Sequence, residues 1–392
     1  MSLVRRVTRK LHVLDHGIGR LSSRRRVLVE MRTPVYHAIL GPICEAIDER
    51  IPAASIFYTS EYPDRIRPLV PTDRFMTHAE AEWTRFDLYL NADPWAAARL
   101  RRAARRVNFF HGVAGKYDLD RPTGLPMGFD VYDRVAFINR DRMNRYREAG
   151  LVTDAQAVLV GFPKLDRLVS GALDTRHIRT SLNFDSGRPI ALYAPTYSPA
   201  SSLHIAGEAI IEALASAGFN VVVKLHDRSF DIDPRYTGGI DWRARMQGIE
   251  RRGQVRHVEI PDVSPLLALA DLMVTDHSSV GFEYLVLDRP LIVFDAPGLT
   301  EAARINPEKV ALLRSAATVV TSVDILLAAA HDAIRAPERL SGNRRRVASA
   351  MFFEPGSATD RAVALVQEML DGHEPARTVA SSTTAPLDGR IA

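Results

Sequence analysis

A chain of 392 residues is long enough for two domains of ordinary size, each with its own core. Apolar residues make up 46% and charged residues 25% of the chain, which is a globular composition. No apolar run approaches the ~20 residues of a membrane span. Cys44 is the only cysteine, so an internal disulfide and a cysteine-based metal cluster are excluded.

The net charge of +4 is modest, but basic residues are concentrated at the front of the chain. Apolar residues there fall roughly on one helical face and arginines on the other, which is typical of a short helix on an anionic membrane surface. A solvated basic tail, or a helix docked on the domain, fits the same pattern. The basic residues are Arg5, Arg6, Arg9, Lys10, Arg20, Arg24, Arg25 and Arg26.

The two ends of the chain therefore receive separate predictions. Residues 1–25 form a basic segment without the apolar stretch of a secretory signal, and we expect contact with an anionic membrane surface through residues 1–26. Residues 373–392 are small and polar, and we expect a disordered tail. These features indicate a cytoplasmic enzyme, peripheral at the inner face of the cell membrane. Nucleic acid is not an expected partner, because no basic stretch is interleaved with aromatic residues.

Residues 26–182 alternate apolar strands with helical stretches, which predicts an α/β domain with a parallel sheet. Helices are expected near 37–50, over Ala96–Arg105 and near 140–149. Strands are expected at Arg26–Met31, Ser55–Ser60, Asp87–Ala92, Arg106–Phe110, Arg134–Asn139 and Ala157–Phe162.

The composition shifts at "NFDSGRP" (Asn183–Pro189), and the alternation then restarts over residues 183–372. Strands are expected in "PIALYAP", "NVVVKL", "VRHVEI", "LMVT" and "LIVF", with helices in "GEAIIEALASAG" and "VSPLLALA" and at Val323–Ile334. The sequence thus predicts two doubly wound Rossmann-like domains that face a central cleft.

The stretch "LADLMVTDHSSVGFEYLVLDRPLIVF" (Leu269–Phe294) is the most informative part of the second domain. A buried strand ends at Asp276, and Ser278 or Ser279 is the predicted N-cap of a helix that continues to Leu287. Because a helix N-terminus attracts anions, we expect a diphosphate at the two serines. Glu283 lies one turn further along, where its carboxylate would reach the ribose of a nucleotide. An ordinary buried helix residue is the alternative for Glu283.

Other reactive side chains also follow strands directly. His111 and Gly112 follow the strand "RVNFF", Thr196 follows "LYAP", and Lys224 and His226 end "NVVVKLH". A core histidine bonded to a carbonyl is the alternative for either imidazole taken alone. Taken together, these junctions predict a binding site at the sheet edges. The segment "GFPKLDRL" (Gly161–Leu168) is expected to form the hinge or floor of the cleft.

The motifs "FFHG", "GFPKLDRL", "LYAPTY", "KLH" and "ADLMVTDHSSVGFEYLVLDRPLIVF" resemble, in order and spacing, those of CDP-glycerol glycerophosphotransferases of teichoic-acid-type polymer synthesis. The resemblance implies a GT-B fold, a donor bound mainly by the C-terminal domain, and two histidines important to phosphotransfer, which match His111 and His226. The chain departs from the family at Asp227, where proline is usual, and at Ser198, where arginine is usual. Glu283 stands where the family commonly has aspartate.

The resulting hypothesis is transfer of glycerol phosphate, or a similar polyol phosphate, from a CDP-activated donor to a lipid-linked or polysaccharide hydroxyl. His111 is the predicted general base, and His226 is predicted to neutralise the diphosphate charge as CMP leaves. The predicted donor-binding residues are Gly112, Thr196, Lys224, Asp276, Ser278, Ser279 and Glu283. No dedicated metal site is predicted, although a diphosphate donor can carry Mg²⁺ with it.

Two alternatives remain open at the level of sequence. A glycosyltransferase or UDP-sugar 2-epimerase of the same fold would share the strand–Asp–helix–Glu pattern of Thr275 to Glu283. A non-enzymatic nucleotide-binding scaffold of a membrane complex would bind nucleotide without releasing CMP or UMP.

Overall fold

The computed structural model describes residues 24–92, 101–113, 128–185, 187–250 and 253–372. Backbone contacts divide these residues into two units. The first unit contains the described residues up to His111, then 128–166 and 353–372. The second contains 112–113 and the described residues of Arg167–Phe352. The predicted basic segment and the predicted disordered tail lie outside the described residues, apart from Arg24 and Arg25. No helix among the described residues is long and apolar enough to cross a membrane.

The first unit is built on a six-stranded parallel sheet with the order β2-β1-β3-β4-β5-β6. The chain moves outward from β1 to β2 and then returns to the other side of β1, so the strand order reverses between β1 and β3. Such a reversal opens a crevice at the carboxyl ends of the two strands. The strands are β1 (Arg25–Glu30), β2 (Ala54–Thr59), β3 (Phe86–Asn91), β4 (Ala103–Phe109), β5 (Arg134–Phe137) and β6 (Ala157–Leu159).

Helices cover this sheet and complete its core. Helix Pro34–Arg50 contributes Leu40, Ile43 and Ile47, and helix Ala358–Asp371 contributes Val366 and Met369 to the same apolar cluster. Helices are expected to cover a parallel sheet, because its strands are nearly continuous apolar runs that must be buried. The other helices of this unit are Pro63–Ile66, His78–Trp83 and Arg140–Glu148, and the short helix Asp166–Val169 begins where the unit ends.

The second unit has a six-stranded parallel sheet with the order β12-β11-β10-β7-β8-β9. This is the Rossmann order, and its reversal lies between β7 and β10. All four residues of β7, β8, β10 and β11 are buried, as expected for strands covered on both faces. The strands are β7 (Ile190–Tyr193), β8 (Asn220–Val223), β9 (Val255–His257), β10 (Leu272–Thr275), β11 (Leu291–Phe294) and β12 (Thr318–Val320).

The helices of the second unit alternate with these strands. Ile210, Ile211 and Leu214 of one helix and Leu326 of another pack into the core beneath the sheet. The helices are Arg176–Leu182, Ser202–Ser216, Pro234–Thr237, Trp242–Glu250, Ser264–Leu269, Ser279–Tyr284, Leu299–Ala302, Pro307–Ser315, Val323–Arg335 and Ser341–Met351.

Three details differ from the sequence prediction. Residues 167–182, assigned by sequence to the first domain, lie in the second unit. The helix predicted over Ala96–Arg105 is wrong at its last three residues, because β4 begins at Ala103; residues 93–100 lie outside the described residues. Helix Ala358–Asp371, assigned by sequence to the second domain, packs in the first unit. The carboxylate of Asp166, within the "GFPKLDRL" motif, fixes the start of that helix by accepting hydrogen bonds from the backbone N–H groups of Gly356 (2.8 Å) and Thr359 (2.5 Å).

Candidate functional site

His111 lies just beyond the carboxyl end of β4, as the sequence predicted. Its Nδ1 is 2.9 Å from the carbonyl oxygen of Ala92, the residue that follows β3. The ring also stacks on Tyr36, with centroids 5.2 Å apart, and the Tyr36 hydroxyl lies 3.5 Å from Nδ1. The imidazole is half-buried and is therefore fixed in orientation by both a hydrogen bond and a ring contact.

These contacts determine where the proton of a neutral His111 resides. A carbonyl oxygen only accepts hydrogen bonds, so Nδ1 must carry the hydrogen. The lone pair is then on Nε2, to which no described residue is hydrogen-bonded. A neutral imidazole with its lone pair on Nε2 can take a proton from a hydroxyl group.

His226 has the opposite arrangement. It is exposed just beyond β8, and its Nδ1 accepts a hydrogen bond from the backbone N–H of Arg228 at 3.1 Å. A neutral ring with an accepting Nδ1 carries its hydrogen on Nε2. The His226 ring also contacts Tyr197, with centroids 4.3 Å apart. His226 therefore carries a donor at Nε2, which suits contact with an anionic oxygen.

Thr196 and Asp276 meet at the point where the second sheet reverses its order. Both carboxylate oxygens of Asp276 accept from the backbone N–H of Thr196, at 3.0 and 3.2 Å. One of them also accepts from the backbone N–H and the hydroxyl of Ser202, at 3.1 and 3.0 Å. Asp276 is fully buried, and its hydrogen bonds hold the loop 195–202 in position; its contact with the donor stays a prediction.

The Thr196 side chain is unusual in this loop. Thr196 is 2% exposed, and its hydroxyl has no hydrogen-bond partner among the described residues. A buried hydroxyl without a partner is unfavourable by about 1–3 kcal/mol. The hydroxyl lies next to the crevice of the Rossmann order, where ligands bind in such sheets. A ligand oxygen would satisfy it.

Ser278 and Ser279 lie at the start of helix Ser279–Tyr284, directly after the two residues that follow β10. Ser278 is the N-cap, with an extended backbone, and its side chain does not cap the helix. Both serines are half-buried, whereas Glu283 is buried at 6% exposure. The predicted helix begins at Ser279 but ends at Tyr284, and a 3-10 helix continues to Leu287. Ser278 occupies the predicted N-cap position without the capping hydrogen bond of its side chain.

Lys224 and Gly112 occupy the remaining predicted positions. The ammonium group of Lys224 donates to the carbonyl of Leu225 at 2.7 Å and lies 3.9 Å from Asp227, so the lysine is held at the end of β8 beside His226. Gly112 follows His111, and a Cβ built on it would meet nothing within 4 Å. Among the described residues, none therefore requires glycine at position 112 by close contact.

The structure groups the predicted residues in two sets. His111 is held by the first unit, whereas Thr196, Asp276, Lys224 and His226 lie at the ends of β7, β10 and β8 in the second. Among the described residues, no three histidine, cysteine, aspartate or glutamate side chains are grouped so that they would hold a metal ion.

Sequence reasoning missed several residues that complete these sets. Tyr36 orients His111, Tyr197 contacts His226, and Ser202 joins Asp276 to the loop. His257 ends β9, beside the last residue of β8, and its buried Nε2 has no hydrogen-bond partner among the described residues. Burial lowers the pKa of His257, although Glu259 and Glu250 act in the opposite direction. The predicted strand "VRHVEI" extends three residues beyond His257, so the sequence did not place His257 at a strand end.

Comparison with known proteins finds a family similarity over part of the chain. Residues 129–300 match the family described as CDP-glycerol:poly(glycerophosphate) glycerophosphotransferase. A teichoic acid poly(glycerol phosphate) polymerase of Staphylococcus epidermidis is 29% identical over 166 residues, which is 42% of this chain and 22% of that protein. A teichoic acid glycerol-phosphate transferase of Staphylococcus aureus is 28% identical over 153 residues, 38% of each chain. The chain thus spans less than half the length of these curated relatives.

Solved structures establish the fold. The wall teichoic acid polymerase TagF superposes with a TM-score of 0.69 at 17% identity, covering 92% of this chain and 92% of that chain. A UDP-GlcNAc 2-epimerase from Neisseria meningitidis superposes with a TM-score of 0.57 at 13% identity, covering 88% of this chain and 100% of that one. The predicted GT-B class with two Rossmann-like domains is confirmed. The motifs, the matched segment and the curated relatives agree, and residues 129–300 of this chain are similar to the CDP-glycerol:poly(glycerophosphate) glycerophosphotransferase family.

Proposed function

We propose that this protein transfers glycerol phosphate, or a similar polyol phosphate, from a CDP-linked donor to a hydroxyl acceptor and releases CMP. One observation carries the proposal: His111 and His226, each at a strand end, are held in opposite tautomers. One ring offers a lone pair at Nε2 and the other an N–H. Transfer of a phosphoryl group to an alcohol needs both, a base for the hydroxyl and a donor for the phosphate oxygens.

In the proposed reaction the acceptor oxygen attacks the β-phosphorus of the donor. The hydroxyl proton passes to Nε2 of His111, and a new P–O bond forms. The bond between the β-phosphorus and the bridging oxygen breaks, and CMP leaves with the electron pair. His226 and Lys224 stabilise the negative charge that develops on the phosphate oxygens.

The β7/β10 edge supports binding of the nucleotide part of the donor. The unpartnered hydroxyl of Thr196, the half-buried Ser278 and Ser279, and the buried carboxylate of Glu283 lie on elements that start at this edge. In the proposal the hydroxyls bind diphosphate oxygens and Glu283 binds the ribose. If Mg²⁺ accompanies the diphosphate, its positive charge supplies further stabilisation of the leaving group.

The acceptor and the place of action complete the proposal. We propose a lipid-linked or polysaccharide hydroxyl as acceptor, in the synthesis of a cell-surface polymer at the inner face of the cell membrane. The teichoic acid polymerase and transferase to which the chain is similar support this choice.

The test is a donor panel with the purified full chain. CDP-glycerol, CDP-ribitol and UDP-sugars are incubated with and without membranes, and release of CMP or UMP is measured. We expect CMP from a CDP-polyol. Release of UMP or UDP alone would favour a glycosyltransferase or epimerase, and nucleotide binding without release would favour a non-enzymatic scaffold.

The role of His111 is tested by His111→Ala. Loss of a general base lowers turnover by ~10²–10⁴-fold, while the Kd for CDP should be unchanged. Tyr36→Phe is the matched control, because it keeps the ring contact and removes only the hydroxyl 3.5 Å from Nδ1; it should stay close to the parent. Full CMP release by His111→Ala would exclude the assignment.

A further inference from the structure

A cluster of aromatic and cationic side chains surrounds His226 in the second unit. We name it the Arg228 cluster and define it as Tyr197, His226, Arg228 and Tyr236. The guanidinium carbon of Arg228 lies 4.6 Å from the ring centroid of Tyr236 and 5.9 Å from that of Tyr197. The two tyrosine rings are 6.1 Å apart in a T-shaped arrangement, and Tyr197 contacts His226. Of these four residues, only His226 was a predicted site residue.

No described residue neutralises the charge of Arg228. Arg228 is exposed, and within the described ranges its side chain forms no hydrogen bond or ion pair; its contacts are those with the tyrosine rings. Arg235 provides the comparison. It lies over the same Tyr236 ring at 5.3 Å, but Asp233 binds its guanidinium at 2.8 Å. Of these two arginines on one ring, only Arg228 retains an unpaired positive charge.

The rings leave the hydrogen-bonding edge of Arg228 available. A guanidinium that stacks on aromatic faces is ordered by its plane, while its N–H groups point outward along the edge. Such an edge matches two oxygens of a phosphate group, and Arg forms this bidentate pair more specifically than Lys. The Arg228 backbone N–H also holds Nδ1 of His226, so the guanidinium and the Nε2 donor belong to one short segment of chain.

We propose that Arg228 is a phosphate-binding residue that acts together with His226, and this inference rests on the proposed function. Its ligand chemistry is a phosphate bearing two free oxygens. Two sources have that chemistry: the diphosphate of the nucleotide donor, and a phosphodiester of a polyol phosphate chain that serves as acceptor. In either case Arg228 lowers the KM for that substrate because its charge is already positioned and unpaired.

The experiment compares Arg228→Gln and Arg228→Lys with Arg235→Gln. The control removes an equally exposed arginine from the same tyrosine ring, but one that already has a carboxylate partner. Binding of CDP and of a short oligo(glycerol phosphate) is measured by calorimetry at two salt concentrations, and KM for CDP-glycerol and for the oligomer is measured by CMP release. We expect Arg228→Gln to weaken one of the two ligands by about tenfold to a hundredfold, Arg228→Lys to recover part of this, and Arg235→Gln to remain near the parent.

The two sources separate in the same data. A shift confined to CDP and CDP-glycerol assigns the donor diphosphate, and a shift confined to the oligomer assigns the acceptor chain. If Arg228→Gln and Arg235→Gln behave alike toward both ligands, or if the parent binds neither, the inference is overturned. The calorimetric arm does not depend on turnover. A parent protein that binds CDP through Arg228 but releases no CMP would therefore refute the proposed function and leave the phosphate site standing.

Discussion

At the scale of single residues, the backbone groups around the two histidines are more informative than the histidines themselves. Both imidazoles follow a strand in the sequence, and nothing in that pattern distinguishes them. The carbonyl of Ala92 and the N–H of Arg228 do, because one accepts a hydrogen from Nδ1 and the other donates one to it. The positions of His111 and His226 at strand ends could thus be predicted from the sequence. Their tautomers could not, because each depends on a backbone group elsewhere in the chain, 19 residues from His111 and two residues from His226.

Asp276 gives the first prediction at this scale. Asp276→Asn replaces a buried carboxylate that accepts from Thr196 and from two groups of Ser202 by an amide whose NH₂ faces other donors. We expect a loss of about 2–3 kcal/mol in the unfolding free energy of the second unit, with faster hydrogen exchange in the loop 195–202. Urea unfolding and exchange mass spectrometry measure the two effects.

Asp271→Asn is the control for that substitution. Asp271 immediately precedes β10, whereas Asp276 immediately follows it. Asp271 is exposed and accepts a single backbone hydrogen bond, from the N–H of Ile190. Asp271→Asn should lower the unfolding free energy by less than about 1 kcal/mol. Equal losses for the two variants would mean that Asp276 does not organise the loop.

At the scale of elements, strand ends were predictable and strand beginnings were less so. The apolar runs before Thr196, Lys224 and Asp276 mark the ends of β7, β8 and β10 because buried parallel strands must be apolar on both faces. Ala103 to Arg105 were assigned to a helix because Ala and Arg favour helices locally. They lie instead in β4, where pairing with β3 outweighs that preference, as in the pairs Phe86–Ala103 and Leu88–Arg105.

Glu30, the last residue of β1, joins β1 to β3, to helix His78–Trp83 and to the segment before β4 through one buried carboxylate. It accepts hydrogen bonds from Tyr89 in β3 at 2.8 Å and from Arg101 at 3.0 and 3.1 Å, and Nε2 of His78 lies 3.2 Å away. Burial alone would raise the pKa of Glu30, but the contacts with His78, Arg101 and Tyr89 outweigh burial and lower the pKa from 4.5 to about 2. The sequence gives no sign of this cluster, because its members are far apart in the chain.

The pH dependence of stability follows from that shift. Because the folded-state pKa is the lower one, the stabilisation is present above pH 4.5 and is lost as the pH falls toward 2. We expect Glu30 to account for about 3 kcal/mol of the unfolding free energy lost over that window. Chemical denaturation of the parent and of Glu30→Gln at several pH values measures it.

The Glu30→Gln variant should be less stable than the parent at pH 7, by about 3–5 kcal/mol, because Arg101 is left buried without its partner. The difference in unfolding free energy between the parent and Glu30→Gln should become smaller as the pH falls. Glu82→Gln is the control, since Glu82 is exposed and lies 3.9 Å from the same arginine. A constant gap across the pH range would contradict the assignment to Glu30.

At the scale of the whole molecule, the similarity to a known family and the two-sheet plan could be predicted from the sequence, but the position of the last helix could not. The motifs lie in short segments at strand ends, and the alternation of strands and helices between them predicts a doubly wound parallel sheet. Helix Ala358–Asp371 is amphipathic, and amphipathicity does not specify which of two sheets it covers. The choice depends on Val363, Val366 and Met369 fitting the core of the first unit.

Membrane association is the prediction at this scale. If residues 1–26 bind an anionic surface, replacing Arg5, Arg6, Arg9 and Lys10 by Gln should weaken binding to phosphatidylglycerol-rich vesicles by at least about tenfold. Sedimentation with vesicles measures the bound fraction. Phosphatidylcholine vesicles should bind neither the parent nor the variant.

A second variant separates local from net charge. Arg335, Arg339, Arg345 and Arg346 are exposed arginines of the second unit, and replacing all four by Gln removes the same number of charges. It should bind anionic vesicles like the parent. Equal weakening in both variants would show that net charge, not the front segment, governs binding.

The placement of helix Ala358–Asp371 sets the order in which a newly made chain can reach its final form. All of Arg167–Phe352 leaves the ribosome before the helix that closes the core of the first unit. At roughly 5–20 residues per second, that interval lasts about 10–40 s. The second unit can therefore fold first. The first unit waits, with apolar surface uncovered, until helix Ala358–Asp371 has been translated.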